Sequence, residues 1–319
     1  MPRDLVPQRS SPSGRYSVSA ISLALPRSSP VSPSWASIAV PSLRRARALG
    51  VTSFVLGGSE RPGIAEEAFM QAFPDRDPDL VVIVRVGGAS TARPRDGPPE
   101  RSPPPELPRT DAAIQRLSAR YRVLVDWDPP SEDSRRPADS IDELEDLRTS
   151  GRLLDLAVRL RPGDDADVRS EHTLRSGPLS LLDVNAANAV RRGTPPSGFA
   201  FIARDVFAQG ALDGSWIDSA GPLRGPATPP PDMAELHARL DPILRLGFLT
   251  QARSRTLAQA ALEFVLRWRW VLTAVVPLPA PDRLAPLLRP VPDIGFSEEE
   301  LARLGVAAVE PKDPRAGSS

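Results

Sequence analysis

Cysteine is absent from this chain of 319 residues. Its absence excludes disulfides, thiolate nucleophiles and thiolate-ligated metals together. Lysine is almost missing as well, with Lys312 as the single example, so nearly all of the 40 basic side chains are arginine, set against 40 acidic ones. Zero net charge gives no general field to draw in nucleic acid or an anionic membrane, and neither is expected as a partner. Aromatic residues make up 5% of the chain, and the tyrosines are Tyr16 and Tyr121 alone. The two histidines, His172 and His237, fall on predicted outer helices and read as packing or surface residues rather than catalysts. Carboxylates are left as metal ligands, but SIDELEDLR and SEEELARL read as solvated helix faces, so no metal site is expected. No uninterrupted apolar run approaches the roughly 18 residues of a membrane span. MPRDLVPQRSSPSGR carries no apolar signal core close behind its charges. The expectation is a cytoplasmic protein, and the preference for arginine over lysine suits a GC-rich bacterial genome.

What is present is a 40% apolar composition, enough for a core, and 38 prolines concentrated in loops. The composition divides the chain into a tail at 1–15, one domain at 16–306 with a proline-rich insertion at about 88–109, and a second tail at 307–319. Within the domain, short β-branched runs alternate with helical patterns. Strands are expected at 20–25 (AISLAL), 51–56 (VTSFVL), 80–86 (LVVIVRV), 122–127 (RVLVDW), 153–158 (LLDLAV), 179–184 (LSLLDV), 199–205 (FAFIARD) and 271–277 (VLTAVVP). Helical spacing fills the intervals, with a capping-box-like Ser140-x-x-Glu143 in one of them. Eight strand-then-helix units predict an α/β fold closed as a parallel (β/α)8 TIM barrel. A doubly wound open sheet is the alternative, but no GxGxxG or P-loop pattern supports it.

Several collinear stretches, among them SLRRARALGVTSF, ERPGIAEEAF, VVIVRVG, VLVDWDPP, FIARDVFAQGALDG and RTLAQAALEFVL, resemble the aldo/keto reductases over about residues 20–304. That resemblance implies the same barrel and an NADPH-dependent carbonyl reductase whose tyrosine proton donor is assisted by lysine, aspartate and histidine. Hydride delivery to a carbonyl builds alkoxide charge, which a phenol must neutralise. Here the tyrosine position falls on Glu60, the aspartate on Val55, the lysine on Arg85 and the histidine on Asp126, beside a retained Trp127. The positions implied to hold the nicotinamide amide fall on Arg159, Leu160 and Leu181, while Asn185, Arg204 and Arg283 are vestigial cofactor-binding candidates. No bound cofactor is therefore expected.

An ionised glutamate repels a developing alkoxide, and arginine's very high pKa makes it a poor proton relay. The reading favoured from the residues is a degenerate barrel without NADPH-dependent reductase activity, acting as a binding or auxiliary protein. In it Glu60, Arg85 and Asp126 compensate one another's charge at the mouth, with a small molecule or another protein as partner. The alternative is a non-redox acid/base enzyme of bacterial specialised metabolism that uses the same three residues on a carbonyl or polyol substrate. Residual NADPH-dependent reduction is the third reading.

Overall fold

The computed structural model describes residues 6–25, 33–57, 63–87, 107–129, 138–160, 173–184, 187–188, 197–214, 240–251, 255–288 and 295–305. Eight parallel strands close a barrel: β3 (Ile21–Ala24), β4 (Ser53–Gly57), β5 (Val81–Gly87), β6 (Arg122–Asp128), β7 (Leu156–Arg159), β8 (Leu174–Pro178), β9 (Ala200–Arg204) and β10 (Val271–Pro277). β10 pairs with β3 in parallel, so the last strand seals against the first. Helices described around it are α1 (Pro33–Ala48), α2 (Ile64–Ala72), α3 (Leu107–Ser118), α4 (Ala138–Thr149), α5 (Phe248–Gln251), α6 (Leu257–Leu266), α7 (Pro281–Leu288) and α8 (Glu298–Arg303). Among the described residues, no helix is long and apolar enough to cross a membrane.

Strands buried on both faces need apolar side chains in both directions, which explains their near-continuous β-branched runs. One face packs on the helices, with Phe54, Leu56, Val82, Val84, Val125, Trp127 and Phe201 in the outer core. The other face fills the lumen with Val55, Val81, Ile83, Leu124, Ala157, Leu174, Ile202 and Val275.

Several sequence expectations need correction. Residues 1–15 were expected to be a tail, but β1 (Gln8–Ser10) pairs antiparallel with β2 (Ser17–Ser19). Alternation explains the hairpin: Val6, Tyr16 and Val18 are buried, and Arg9 donates to the carbonyls of Leu266, Trp268 (3.1 Å) and Val271. The hairpin lies against the amino-terminal ends of the strands, where Tyr16 Oη donates to Asp155 Oδ2 at 2.9 Å. The sixth barrel strand was expected at 179–184 and lies instead at Leu174–Pro178. Its sequence LRSGP carries the glycine and proline of a turn, which hid it. α4 likewise begins at Ala138, ahead of Ser140, so Ser140 is not its cap. The insertion expected at 88–109 lies outside the described residues up to 106, and 107–109 open α3. The tail expected at 307–319 lies outside them too.

The lower lumen holds a chain of buried hydroxyls rather than hydrocarbon. Ser19 Oγ donates to Ile21 O (2.7 Å), so across its 2.7 Å contact with Ser53 Oγ it must accept. Ser53 is then committed as donor, so Ser22 donates to it (2.6 Å) and Thr273 donates to Ser22 (2.7 Å). Each hydroxyl has one proton, so the chain runs one way only, from Thr273 to Ile21 O. Ser19 Oγ also accepts from the backbone N–H groups of Thr52 and Ser53, both at 3.1 Å. Ser19→Ala removes the acceptor for three buried donors. It should cost about 1–3 kcal/mol or more in denaturant unfolding, whereas Thr273→Val, which deletes only the first donor, should cost less.

Candidate binding site at the barrel mouth

Side chains alternate along a strand, so residues two beyond the lumen-filling Ile83, Leu124, Ala157, Leu174 and Ile202 also face inward. These are Arg85, Asp126, Arg159, Ser176 and Arg204, at the carboxyl ends of β5 to β9, with Asp128 one repeat higher on β6. In barrels of this kind, chemistry resides at that end.

Asp126 is 1% exposed. Its Oδ1 accepts from Ser176 Oγ at 2.6 Å. Its Oδ2 lies 3.0 Å from Arg204 Nη2, close enough for an ion pair, yet the oxygen accepts no hydrogen bond, because the guanidinium N–H is not directed at it. Arg204 is itself buried, with 10% of its side chain exposed. Loss of hydration pulls its pKa down and Arg159 adds to that, while Asp126 and Asp128 oppose it. Above this layer, Arg159 pairs with Asp128, and 36% of the Arg159 side chain is exposed. The mouth thus holds an inner unit, Asp126–Ser176–Arg204, and an outer pair, Asp128–Arg159.

The sequence expects a cluster of Glu60, Arg85 and Asp126 at this mouth. Arg85 and Asp126 are register neighbours on β5 and β6, so the strands do bring them side by side. Asp126, however, is engaged by Ser176 and Arg204 from β8 and β9. Glu60 lies outside the described residues, as do Asn185, His172 and His237. Arg204, expected as a vestigial cofactor contact, is the counterion of Asp126. Arg283 is exposed on the first turn of α7. Sequence reasoning missed Ser176, because misplacing β8 left it off any strand, and it missed Asp128, one period beyond Asp126. The rule that finds both is counting in twos from the lumen residues.

Neither tyrosine reaches the mouth. Tyr16 sits at the opposite end of the barrel on Asp155. Tyr121 precedes β6 at its amino-terminal end, packs on Phe69 with ring centroids 5.2 Å apart, and donates to Phe73 O. Burial and the adjacent Asp155 push the Tyr16 phenol pKa far up, the reverse of what a proton donor to an alkoxide needs.

Directly after β9 the backbone is strained. Asp205, Ala208 and Gln209 have φ of 53°, 48° and 58°, the left-handed region that costs a non-glycine residue roughly 1–2 kcal/mol. Asp205 Oδ1 accepts from Gln209 N at 2.7 Å, which closes the turn. Asp205 reaches solvent, yet loss of hydration around its carboxyl raises its pKa; the Gln209 N–H opposes the rise, Asp183 adds to it and Arg159 opposes it. A carboxyl raised in the folded state holds its proton more tightly there than in the unfolded chain. Its ionisation therefore costs stability as pH climbs from the ordinary carboxylate range through the raised value. Asp205→Asn, which keeps the oxygen acceptor and suits a left-handed φ, should raise the melting temperature at neutral pH. The gain should disappear on acidification below the ordinary carboxylate range. A gain that persists in acid would assign it to backbone preference instead.

No protein-family model and no curated protein matches the sequence. Among solved structures, the chain is similar to the aldo-keto reductase AKR11C1 from Bacillus halodurans. The holo form matches with a TM-score of 0.65 and 17% identity, covering 97% of this chain and 99% of that one. The apo form matches with a TM-score of 0.61 and the same identity and coverage. At this identity the likeness establishes the fold: a (β/α)8 barrel of the aldo-keto reductase kind. It also contradicts the expectation of no cofactor, because the barrel matched over nearly its whole length is recorded in a holo form. That expectation rested on single replaced side chains at Arg159, Leu160 and Leu181, and such replacements leave the barrel and its mouth intact.

Proposed function

We propose that this chain is a small-molecule-binding barrel built on the aldo-keto reductase fold, whose mouth takes its ligand without phenol-assisted carbonyl reduction. The observation that carries this reading is the placement of both tyrosines away from the mouth, one at the far end of the barrel and one in the helical layer. The chain's single lysine, Lys312, lies outside the described residues near its end. The described part of the mouth presents mutually compensating ions, an inner buried pair and an outer, partly exposed one.

NADP(H), which the fold implies, suits the charges described here. Arg159, 36% exposed above the buried Asp126–Arg204 pair, offers positive charge to a phosphate of the nucleotide. When bound, the nucleotide supplies hydride. Among the described residues the mouth presents no phenol, and reduction of a carbonyl stalls without a proton donor. The test is to follow NADPH consumption with a panel of aldehydes and ketones. The expected result is no carbonyl-dependent oxidation above the protein-free control, whether or not the nucleotide binds. Carbonyl-dependent turnover that Asp126→Asn abolishes would overturn the reading.

A second reading, non-redox acid/base catalysis, is favoured by Asp205. It stands directly after β9 at the carboxyl end of the barrel, where loss of hydration raises its carboxyl pKa while Arg159 opposes the rise. In that reading Asp205 replaces Asp126 as the acid, since Asp126 is buried and engaged.

A further inference from the structure

The inner unit of the mouth is incomplete in two complementary ways. Arg204 is nine-tenths buried, and among the described residues its guanidinium has one contact, the undirected 3.0 Å approach to Asp126 Oδ2. A guanidinium carries five N–H donors in a planar fork. None of its nitrogens is both fully buried and unpartnered, so the fork keeps donors that a ligand entering the mouth can engage. Asp126 Oδ2, beside it, is a buried acceptor without a donor. Its other oxygen is held by Ser176, which fixes the carboxylate's orientation. One group lacks an acceptor and its neighbour lacks a donor.

We infer that the ligand of this mouth is a small organic acid with a hydrogen-bond donor, a hydroxyl or an ammonium, next to its carboxylate. The carboxylate lies along the Arg204 fork, and the adjacent donor completes Asp126 Oδ2. The inference rests on the binding reading given above. A planar carboxylate matches the fork with two parallel bonds, which a single oxygen acceptor cannot do. At the inner Arg204 a dianionic phosphate fits less well, because Asp126 beside it would repel the second charge. Arg204 turns from Asp126 to receive the carboxylate, and that turn uncovers Oδ2 for the donor. Arg159, a third exposed above, adds positive charge where the ligand arrives.

The experiment is a titration of the full chain, by calorimetry or by guanidinium NMR signals, with glycolate, glycine, acetate, inorganic phosphate and the neutral compounds glycerol and dihydroxyacetone. Wild type should bind glycolate or glycine more tightly than acetate, by roughly tenfold, the worth of one charge-assisted hydrogen bond. Asp126→Asn should erase most of that difference. The double variant Arg204→Gln with Asp126→Asn removes both charges together and so avoids stranding one ion. It should weaken binding of all the acids by roughly 10- to 100-fold. Acetate equal to glycolate and glycine would overturn the adjacent donor, and phosphate tighter than every carboxylate would overturn the organic acid. Neutral compounds binding while no acid does would overturn the inference and leave the binding reading standing. Failure of every compound to bind would overturn both.

Discussion

Arg255→Leu is expected to lower folding stability by about 3–5 kcal/mol, the usual cost of removing one partner from a buried ionic group. The Arg255 side chain is fully buried, 0% exposed, and ties three parts of the helical layer together. Its Nη1 lies 2.6 Å from Glu263 on α6, its Nη2 lies 3.0 Å from Glu300 on α8, and its Nε donates to Leu249 O of α5 at 2.9 Å. Its guanidinium also stacks over Phe296, 4.6 Å from the ring centroid. Leucine would fill part of the volume but leave two carboxylates with 20% and 11% of their side chains exposed facing apolar carbon. Glu300 also accepts from Ser297 N at 2.8 Å in the capping box of α8, so the start of that helix should loosen with it. Arg255→Lys should fall in between, since it keeps the charge and loses the planar fork. An unchanged denaturation midpoint for Arg255→Leu would show that the network contributes no net stability.

Deleting residues 1–15 is expected to do comparable or greater damage. The hairpin brings Val6, 1% exposed, whose burial is worth about 1.5–3 kcal/mol. Arg9 adds charge-assisted bonds to Leu266, Trp268 and Val271 carbonyls, each worth roughly 1.5–3 kcal/mol. Those carbonyls run from the end of α6 through the turn at Trp268 to the start of β10, where helix termination leaves backbone acceptors to be satisfied. Gln8 donates to Gly50 O at 2.9 Å and accepts from Thr52 Oγ1 at 2.8 Å. A domain is stable by only about 5–15 kcal/mol, so the shortened chain should be poorly folded or aggregate on expression. A truncated chain with native circular dichroism and an unchanged melting curve would refute this. Arg9→Ala in the full chain separates the guanidinium from the rest of the hairpin and should cost a few kcal/mol by the same estimate.

The barrel was legible in the sequence because strands buried on both faces must be apolar in both directions, and VVIVRV or VLTAVV admit few other readings. LRSGP at β8 was not, since its glycine and proline carry local turn preferences that closure of the sheet overrides. Gly177 supplies room there: a Cβ on it would lie 3.1 Å from the Phe201 ring. The hairpin was missed because three-residue strands in a polar, serine-rich context gain their stability from tertiary contacts that sequence does not display. At the mouth, Asp126, Arg204 and Arg159 were identified as residues, but not as partners. Pairing across the lumen between β6 and β9 depends on register and on which side chains lean toward one another, and neither is written in either strand alone.

The contacts made by Arg9 join positions 257 to 262 residues apart in the chain. Together with the pairing of β10 to β3, they mean that the Arg9 anchorage of the amino-terminal hairpin and the closing seam of the barrel both wait until the last strand has been synthesised. A ribosome adds roughly 5–20 residues per second, so β3 spends many seconds as an open sheet edge during each round of translation. Unpaired edges of parallel strands are the parts of a nascent chain most prone to pairing with the wrong neighbour. The architecture therefore places its period of greatest vulnerability in the interval before closure, and a bound chaperone covering the edge during that interval should improve the yield of native protein more than any change to the finished core.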